Sequence, residues 1–572
     1  MKYFPLVITL LYSLQLIAYE RDIEHNDEFQ KLFENANRAF SKKDHKEAAR
    51  YYEETLAIYN NIPQIHFNLG VTNMELKEYK KAFECFKEAI RLKPNYTRAY
   101  HRLGNALEKL NQKKEAIAMY SKAHELEPDF FEVLPTLGDL LRDENCFDEA
   151  ITYYRKAANL QPKNIQVLLN LANALNTTGH TEEALEWYFK MLDILPQNPA
   201  ILYNIAYTYK KLNRLADAMP YYDQVLKLQP DHTEAHFSYG LALLLTGNDN
   251  PNNWELGWKE YEWRWKRDQS QTMRSYSQPL WNGEPLEGKT FFLWAEQGLG
   301  DTFEFIRYAK VVKDLGASKV IVAVQQPLID FTKNIPYIDQ IITLSAKPPY
   351  FDYHAPMVSM PYLTNTRLHN TPAEIPYLYA DQQLVDEWKD ILQTDTNFKI
   401  GICWQGNPNY STQFLRMTVA AKSMPVHKFL PIITLPGVTV YSLQKTTGTD
   451  QLETLPEDTP LVIFGEDFDT TKGRFNDTAA VIKNLDLVIT IDTSICHLAA
   501  GLGVPTWNLL PNPPDWRWML DCDNTPWFPN MRLFRQPTPG DWDSVIEKVV
   551  QELQAHLYYN KPLIIHECPY SS

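Results

Sequence analysis

The chain has only six cysteines in 572 residues, scattered at Cys85, Cys146, Cys403, Cys496, Cys522 and Cys568, with no C-x-x-C pair and no Cys/His cluster at metal-ligand spacing. That sparsity speaks against a disulfide framework and a structural zinc centre, and points to free buried thiols. Positive charge is also in deficit, the formal net charge being −15 at pH 7. Nonspecific affinity for nucleic acid comes from Lys and Arg neutralising phosphates, so nucleic acid is set aside as a main partner. Long hydrophobic runs are missing too. The apolar stretch Tyr3 to Ala18, after Lys2, is short for a transmembrane helix but has the length of a signal-peptide core. Leu16 and Ala18 stand where a cleavage site wants two small residues. Residues 1–28 therefore read as a signal or anchor, or as a hydrophobic cap on the first folded segment. No later segment approaches a membrane span. The length itself exceeds what one core usually serves and implies two or three domains.

What the chain has in abundance is a period. Prolines recur every 34 residues at Pro94, Pro128, Pro162, Pro196 and Pro230. The same spacing links the small residues Gly70, Gly104, Gly138, Ala172, Ala206 and Gly240, which let two helices approach closely. It also links Ala48, Ala82, Ala116, Ala150, Ala184 and Ala218, each followed four residues on by Tyr52, Phe86, Tyr120, Tyr154, Tyr188 or Tyr222. An aromatic one helical turn from a small residue is a knob beside a hole. Complete units begin at Phe29, Pro63, Thr97, Phe131, Ile165 and Pro199, and a seventh at Thr233. After the insertion Gly247 to Asn253, the seventh ends in Trp254 to Lys266, whose four tryptophans suggest a capping helix that docks on the next domain.

The period and residue set resemble the tetratricopeptide repeat (TPR) family over residues 29–267. The resemblance implies an α-solenoid, a right-handed superhelix whose concave groove holds extended peptides. Position six of each repeat faces that groove in the family, and here it carries Asn68, Arg102, Thr136, Asn170, Asn204 and Ser238. Asn68, Asn170 and Asn204 resemble the asparagine ladder with which protein O-GlcNAc transferases hold a substrate main chain, since an amide pairs both donor and acceptor of a peptide unit. The alternative is that asparagine is merely tolerated on a polar face.

From residue 289 the texture changes to short β-rich runs alternating with helical stretches, which reads as α/β with parallel sheets. Strands are expected at Thr290 to Ala295, Lys319 to Val324, Gln340 to Leu344, Ile400 to Trp404, Val438 to Leu443 and Leu485 to Ile491, and an amphipathic helix at Thr302 to Leu315. The turn Glu296-Gln297-Gly298-Leu299-Gly300-Asp301 between a strand and a helix start makes an anion site. The last run stops at Asp492-Thr493-Ser494, where Thr493 or Ser494 can cap a helix Ile495 to Leu502. Ligands gather at the carboxyl ends of such strands, so Asp301, Gln405, Gln444, Lys445 and Asp492 are expected to face one crevice. Residues 268–288 read as a linker, 289–397 and 398–556 as two Rossmann-like halves, and 557–572 as a tail.

The segment D-T-S-I-C-H-L-A-A-G-L-G-V-P-T (Asp492 to Thr506) resembles the D-T-x-x-x-H-L-A-A signature of heptosyltransferase-like family 9 glycosyltransferases. W-A-E-Q-G-L-G-D-T and P-D-W-R-W (Pro514 to Trp518) are similar to bacterial proteins that fuse TPR repeats to that domain. The resemblance implies a GT-B fold, a nucleotide-sugar donor on the 398–556 half, an acceptor nearer the 289–397 half, and catalysis with no metal and no cofactor. It implies Asp301 as base, with Glu296 as runner-up and helix capping as the alternative role. Lys445 with Gln444 is expected at the leaving phosphate, Lys422 and Arg416 being further candidate cations. Gln405, Asp492, Thr493, Ser494 and His497 complete the donor side, although His497 also fits a packed core position; Trp516, Arg517 and Trp518 read as packing, with base stacking as the alternative. The expected function is an inverting sugar transfer to an acceptor gathered by the repeats, in the cytoplasm unless residues 1–18 export or anchor the chain. The alternatives are a non-catalytic scaffold and a sugar-nucleotide epimerase.

Overall fold

The computed structural model describes residues 26–247, 250, 252–267, 273–409, 413–520 and 522–564. The apolar run 3–18 and Cys568 lie outside the described residues, as do parts of the 247–253 insertion, the 268–288 linker and the tail. The chain divides into two compact units, one ending at Ile201 and the other beginning at Leu202. This division falls earlier in the chain than the sequence boundary at 267.

The first unit is a run of helix pairs: Asp27–Ser41 with His45–Ile58, Pro63–Glu75 with Tyr79–Leu92, Thr97–Lys109 with Lys113–Leu126, Val133–Asp143 with Phe147–Leu160, and Ile165–Thr177 with Thr181–Ile194. The joint inside each pair also repeats. Lys43, Lys77, Asn111 and Asn145 all sit at φ between 60° and 64°, and Gly179 at 90°. A left-handed residue ends the first helix and turns the chain into the second. Asparagine tolerates this conformation better than lysine does, and glycine best of all.

The small residues of the period have a measurable reason. A Cβ built on Gly104 would lie 2.5 Å from the ring of Tyr120, and one on Gly138 only 2.4 Å from Tyr154. The aromatic rings are fully buried against these bare backbones. Their hydroxyls are used as well, because Tyr52, Tyr120, Tyr154 and Tyr188 each donate to the side chain fifteen residues earlier, Asn37, Asn105, Asp139 and Asn173, at 2.5–2.7 Å. Gly104→Val is accordingly expected to destabilise the first unit by about 1–3 kcal/mol through overpacking, measured as a lowered urea midpoint with unchanged slope; an unchanged midpoint would contradict this packing account.

The second unit opens with Pro199–Lys211 from Leu202 onward, then Leu215–Leu228, Thr233–Leu245 and Asn252–Tyr261, which passes into a 3-10 turn Glu262–Lys266. Its tryptophans explain why these helices group with the sheets. Trp258 stands edge-on to Trp516 with ring centres 5.1 Å apart and edge-on to Phe305, while Trp254 stacks on Trp527 at 5.5 Å. Rings of this size bury much apolar area and tie the helices to the α/β layers.

Those layers hold two parallel sheets. The first contains β1 (Thr290–Trp294), β2 (Lys319–Val324), β3 (Gln340–Thr343) and β4 (Tyr353–Pro356), in the order β3-β2-β1-β4. The second contains β5 (Phe398–Cys403), β6 (Val438–Ser442), β7 (Leu461–Val462), β8 (Leu487–Ile491), β9 (Thr506–Leu510) and β10 (Met531–Arg535), in the order β10-β9-β8-β5-β6-β7. β8 (L-V-I-T-I) is buried along its whole length, as an apolar β-branched run in a parallel sheet should be. The expected helix 302–315 is broken into Leu299–Phe305 and Tyr308–Asp314. At the break stands Arg307, buried in the core, whose Nε donates to the carbonyl of Glu304 at 2.7 Å.

Candidate functional site

The second unit contains a cavity of about 580 Å³ at the carboxyl ends of its strands. Its lining comes from the turn after β1 (Gly298 to Asp301), the segments after β5 (Gln405 to Asn407), β6 (Gln444 to Thr447) and β8 (Asp492 to His497), and residues near 470 and 515. The two helix starts approach because Gly300 has no side chain. A Cβ there would lie 3.2 Å from the His497 ring and 3.5 Å from the Ser494 backbone.

One part of the lining is acidic and built around Arg517. The guanidinium donates to Glu304 Oε2 at 2.6 Å, to Asp515 Oδ1 at 2.8 Å and to Asp301 Oδ1. Asp301 also accepts the Gly298 N–H at 2.7 Å, the return half of a capping box at the start of helix Leu299–Phe305, since the N-cap glycine has no side chain to give the other half. Asp301 is therefore not the N-cap of this helix, which is Gly298, but bonds the N-cap amide from the third helical position. Glu304 is fully buried, and burial pushes its pKa up to about 7 even though Arg517 and Arg307 favour its charge. His497 Nδ1 lies 3.8 Å from Glu304 Oε2. Burial, reinforced by Arg517 and Lys422, drives the His497 pKa well below its ordinary value, so the ring is neutral.

The other part carries cations. Lys422 Nζ is 3.5 Å from Asp492 Oδ2, and although burial opposes its charge, Asp492 and Asp515 prevail and raise its pKa. Lys445 bonds the carbonyls of Glu466 and Phe468, and Arg474 lies beside the Phe475 ring. Among the described residues neither Lys445 nor Arg474 has a carboxylate within ion-pair distance. Between these groups Thr493 caps the helix Ser494–Gly501, accepting from the Ile495 N–H at 3.3 Å. An amide-rich helix start beside uncompensated cations suits an anion.

Backbone strain collects here. Thr446, Asp469 and Phe475 all line the cavity and all have positive φ, at 66°, 57° and 68°. Such conformations cost on the order of 1–3 kcal/mol each and persist where the surroundings over-determine them. At Asp469 the surroundings are evident, since its N–H donates to Asp477 Oδ2 and its own carboxylate accepts from both the backbone and hydroxyl of Thr478.

All eight residues expected at the crevice, Asp301, Gln405, Gln444, Lys445, Asp492, Thr493, Ser494 and His497, line this one cavity. Their environments differ. Gln444 is an internal strut that accepts from the Trp404 and Gln405 amides at 3.0 Å and donates to the Gln405 and Thr447 carbonyls. Glu296 does not reach the cavity: it is buried 3.2 Å from Arg264 and takes the Val358 N–H. Arg517, read from sequence as packing, stands at the lining together with Asp515, for which no role was read, while Trp516 and Trp518 pack. Arg474 carried no sequence signal beyond its glycine neighbour. Of the groove positions, Arg102 is exposed and Asn68 half-buried in the first unit. Asn170 is buried there, its amide taken by Asp139 and Gln166 at 2.9 Å. Asn204, in the second unit, is half-buried.

Asp492, Cys496 and His497 bring ligand atoms within 4.8 Å of one another. Electrostatics disfavour a cation there. The Cys496 thiol donates to the Thr493 carbonyl, its pKa is driven well above the ordinary value by burial and by Asp492, and Lys422 neighbours the carboxylate.

The tetratricopeptide repeat family model matches residues 63–96, 97–130 and 199–232, and a second TPR repeat model matches 138–179. The helical part is thus a TPR solenoid, followed by a domain with parallel sheets and helices. Among curated proteins, Protein FlbA of Caulobacter vibrioides is 26% identical over 347 residues, 57% of this chain and 55% of its own length, so the chain spans about half of the relative it matches. Among solved structures, YrrB, described as a TPR protein with an unusual peptide-binding site, is 22% identical, covering 33% of this chain and 97% of its own, with a TM-score of 0.31. The C-terminal part of a TPR repeat-containing protein from Cytophaga hutchinsonii is 18% identical, covering 40% and 93%, with a TM-score of 0.35. Among the described residues no helix is long and apolar enough to cross a membrane.

Proposed function

We propose that the chain is a glycosyltransferase of GT-B type, in which the sheet of β1–β4 serves the acceptor and the sheet of β5–β10 a nucleotide-sugar donor. The observation that supports this most is the convergence on one cavity of a capped helix start, two cations without a carboxylate partner and a cluster of carboxylates. Sugar transfer needs that division. The leaving diphosphate needs positive charge and amide dipoles, and the acceptor hydroxyl needs a base.

In this reading Lys445, Arg474 and the first amides of helix Ser494–Gly501 hold the diphosphate, Asp492 with Lys422 orients sugar hydroxyls, and the carboxylates around Arg517, Asp301 among them, serve the acceptor. The reaction uses no resident metal or cofactor. The TPR repeats recruit the acceptor, for which a protein is the natural class because such repeats bind extended peptides. Sugar nucleotides are a cytoplasmic pool, and a cytoplasmic protein goes with this function.

The test is incubation of the full chain with UDP-N-acetylglucosamine, UDP-glucose, GDP-mannose and dTDP-rhamnose in the presence of a protein extract. Nucleoside diphosphate release together with label entering protein is expected for one donor. Diphosphate binding without turnover of any donor would favour the non-catalytic scaffold, and release without transfer would favour hydrolysis or epimerisation.

A further inference from the structure

The acidic part of the cavity holds two carboxylates at its lining, and they are not equivalent. Asp301 has both oxygens committed, Oδ2 to the Gly298 N–H at 2.7 Å and Oδ1 to Arg517, and its side chain is 22% exposed. Asp515 concentrates its internal bonds on one oxygen. Oδ1 accepts from Arg517 Nη1 at 2.8 Å and from the Arg517 N–H at 3.2 Å, while Oδ2 has no hydrogen bond or ion pair among the described residues. The Asp515 side chain is also more open, at 36% exposed.

Asp515 is held in place from behind. The next residue, Trp516, is caged by Trp258, Tyr261 and Phe305, with ring centres at 5.1, 5.7 and 6.5 Å. Arg517 then fixes Asp515 and Asp301 with one guanidinium. Asp515 thus borders the cavity next to the tryptophan and tyrosine rings of helix Asn252–Tyr261.

We infer that Asp515, rather than Asp301, is the group that takes the proton of the acceptor hydroxyl, and that Asp301 fixes the turn and shares Arg517. This rests on the transferase reading and sharpens it. In the step, an acceptor oxygen lone pair forms the bond to the anomeric carbon, the bond from that carbon to the phosphate oxygen breaks with its electron pair on the departing diphosphate, and the hydroxyl proton passes to Asp515 Oδ2. A fixed carboxylate with one free, solvent-reachable oxygen is what a general base requires.

The experiment compares wild type, Asp515→Asn and Asp301→Asn in the full chain, by label transferred to protein and diphosphate released from the four nucleotide sugars above in the presence of the protein extract, and by calorimetric affinity for UDP, GDP and dTDP. Asp515→Asn still offers Oδ1 to Arg517, so folding is expected to survive, and thermal melting checks this. Turnover is expected to fall about a hundredfold or more with diphosphate affinity changed less than about threefold. Asp301→Asn is expected to lower the melting temperature and to lose less turnover than Asp515→Asn. Loss of turnover in Asp301→Asn with near wild-type turnover in Asp515→Asn overturns the inference and leaves the transferase reading standing. Failure of wild type to bind any diphosphate removes both.

Discussion

Arg517→Ala is expected to destabilise the second unit by about 3–5 kcal/mol at pH 8, the range for removing one partner of a buried ion pair, and by clearly less at pH 5. The guanidinium is 9% exposed and serves three carboxylates at once, one of which, Glu304, is completely buried. Without it Glu304 keeps only Arg307 to favour its charge at pH 8. The pH dependence comes from the direction of the Glu304 shift. Its folded pKa, about 7, lies above the value of a free carboxyl. The protonated form is therefore the one the fold favours, and the stability this contributes is complete below the free-carboxyl range and lost as pH rises through about 7. At pH 5 the variant buries a neutral acid; at pH 8 it must either hold the anion with only Arg307 to favour it or take up a proton, and either costs stability. Urea unfolding at both pH values measures the difference, and adding Glu304→Gln should return much of the loss at pH 8. Equal losses at the two pH values would show that the ionisation of Glu304 does not carry the effect of Arg517.

The second large effect concerns the cations. Lys445→Met and Arg474→Met are each expected to weaken nucleoside diphosphate binding about 10- to 100-fold, the value of one charged hydrogen bond at about 1.5–3 kcal/mol. Neither residue has a carboxylate to leave stranded, so the folded state should tolerate both substitutions with little change in melting temperature. That separation of binding from stability distinguishes them from Arg517. If Lys445→Met lowers the melting temperature and leaves binding intact, the lysine is a strut for the Glu466 and Phe468 carbonyls and nothing more.

The helical half was legible in the sequence because its determinants are local and periodic. A bare Gly104 against Tyr120 leaves a mark every 34 residues, whereas the left-handed joint at Lys43, Lys77, Asn111, Asn145 and Gly179 uses three residue types and was seen only in the structure. The strand ends were legible for a similar reason: β8 is an uninterrupted β-branched run that stops at Asp492, and the Gly298–Asp301 turn comes after an equally plain β1. Three things were hidden. The helix break stands at Arg307, whose side chain reaches carbonyls of Pro372 and Trp527, 65 and 220 residues away. Four strands, β4, β7, β9 and β10, were not expected: β4 contains a proline, which an edge strand tolerates, and β7 has only two residues. The position of Asp515 depends on Trp516 filling a cage drawn from a repeat helix and from helix Leu299–Phe305, which no spacing along the chain announces.

The account centres on the cavity being an anion site for a nucleoside diphosphate. Its most direct test is calorimetric titration of the intact chain with UDP, GDP, ADP and dTDP at low salt. Binding of at least one, with Kd below about 100 µM and loss of that heat in Lys445→Met with Arg474→Met, is the expected result. No heat from any of the four at millimolar concentration would contradict it.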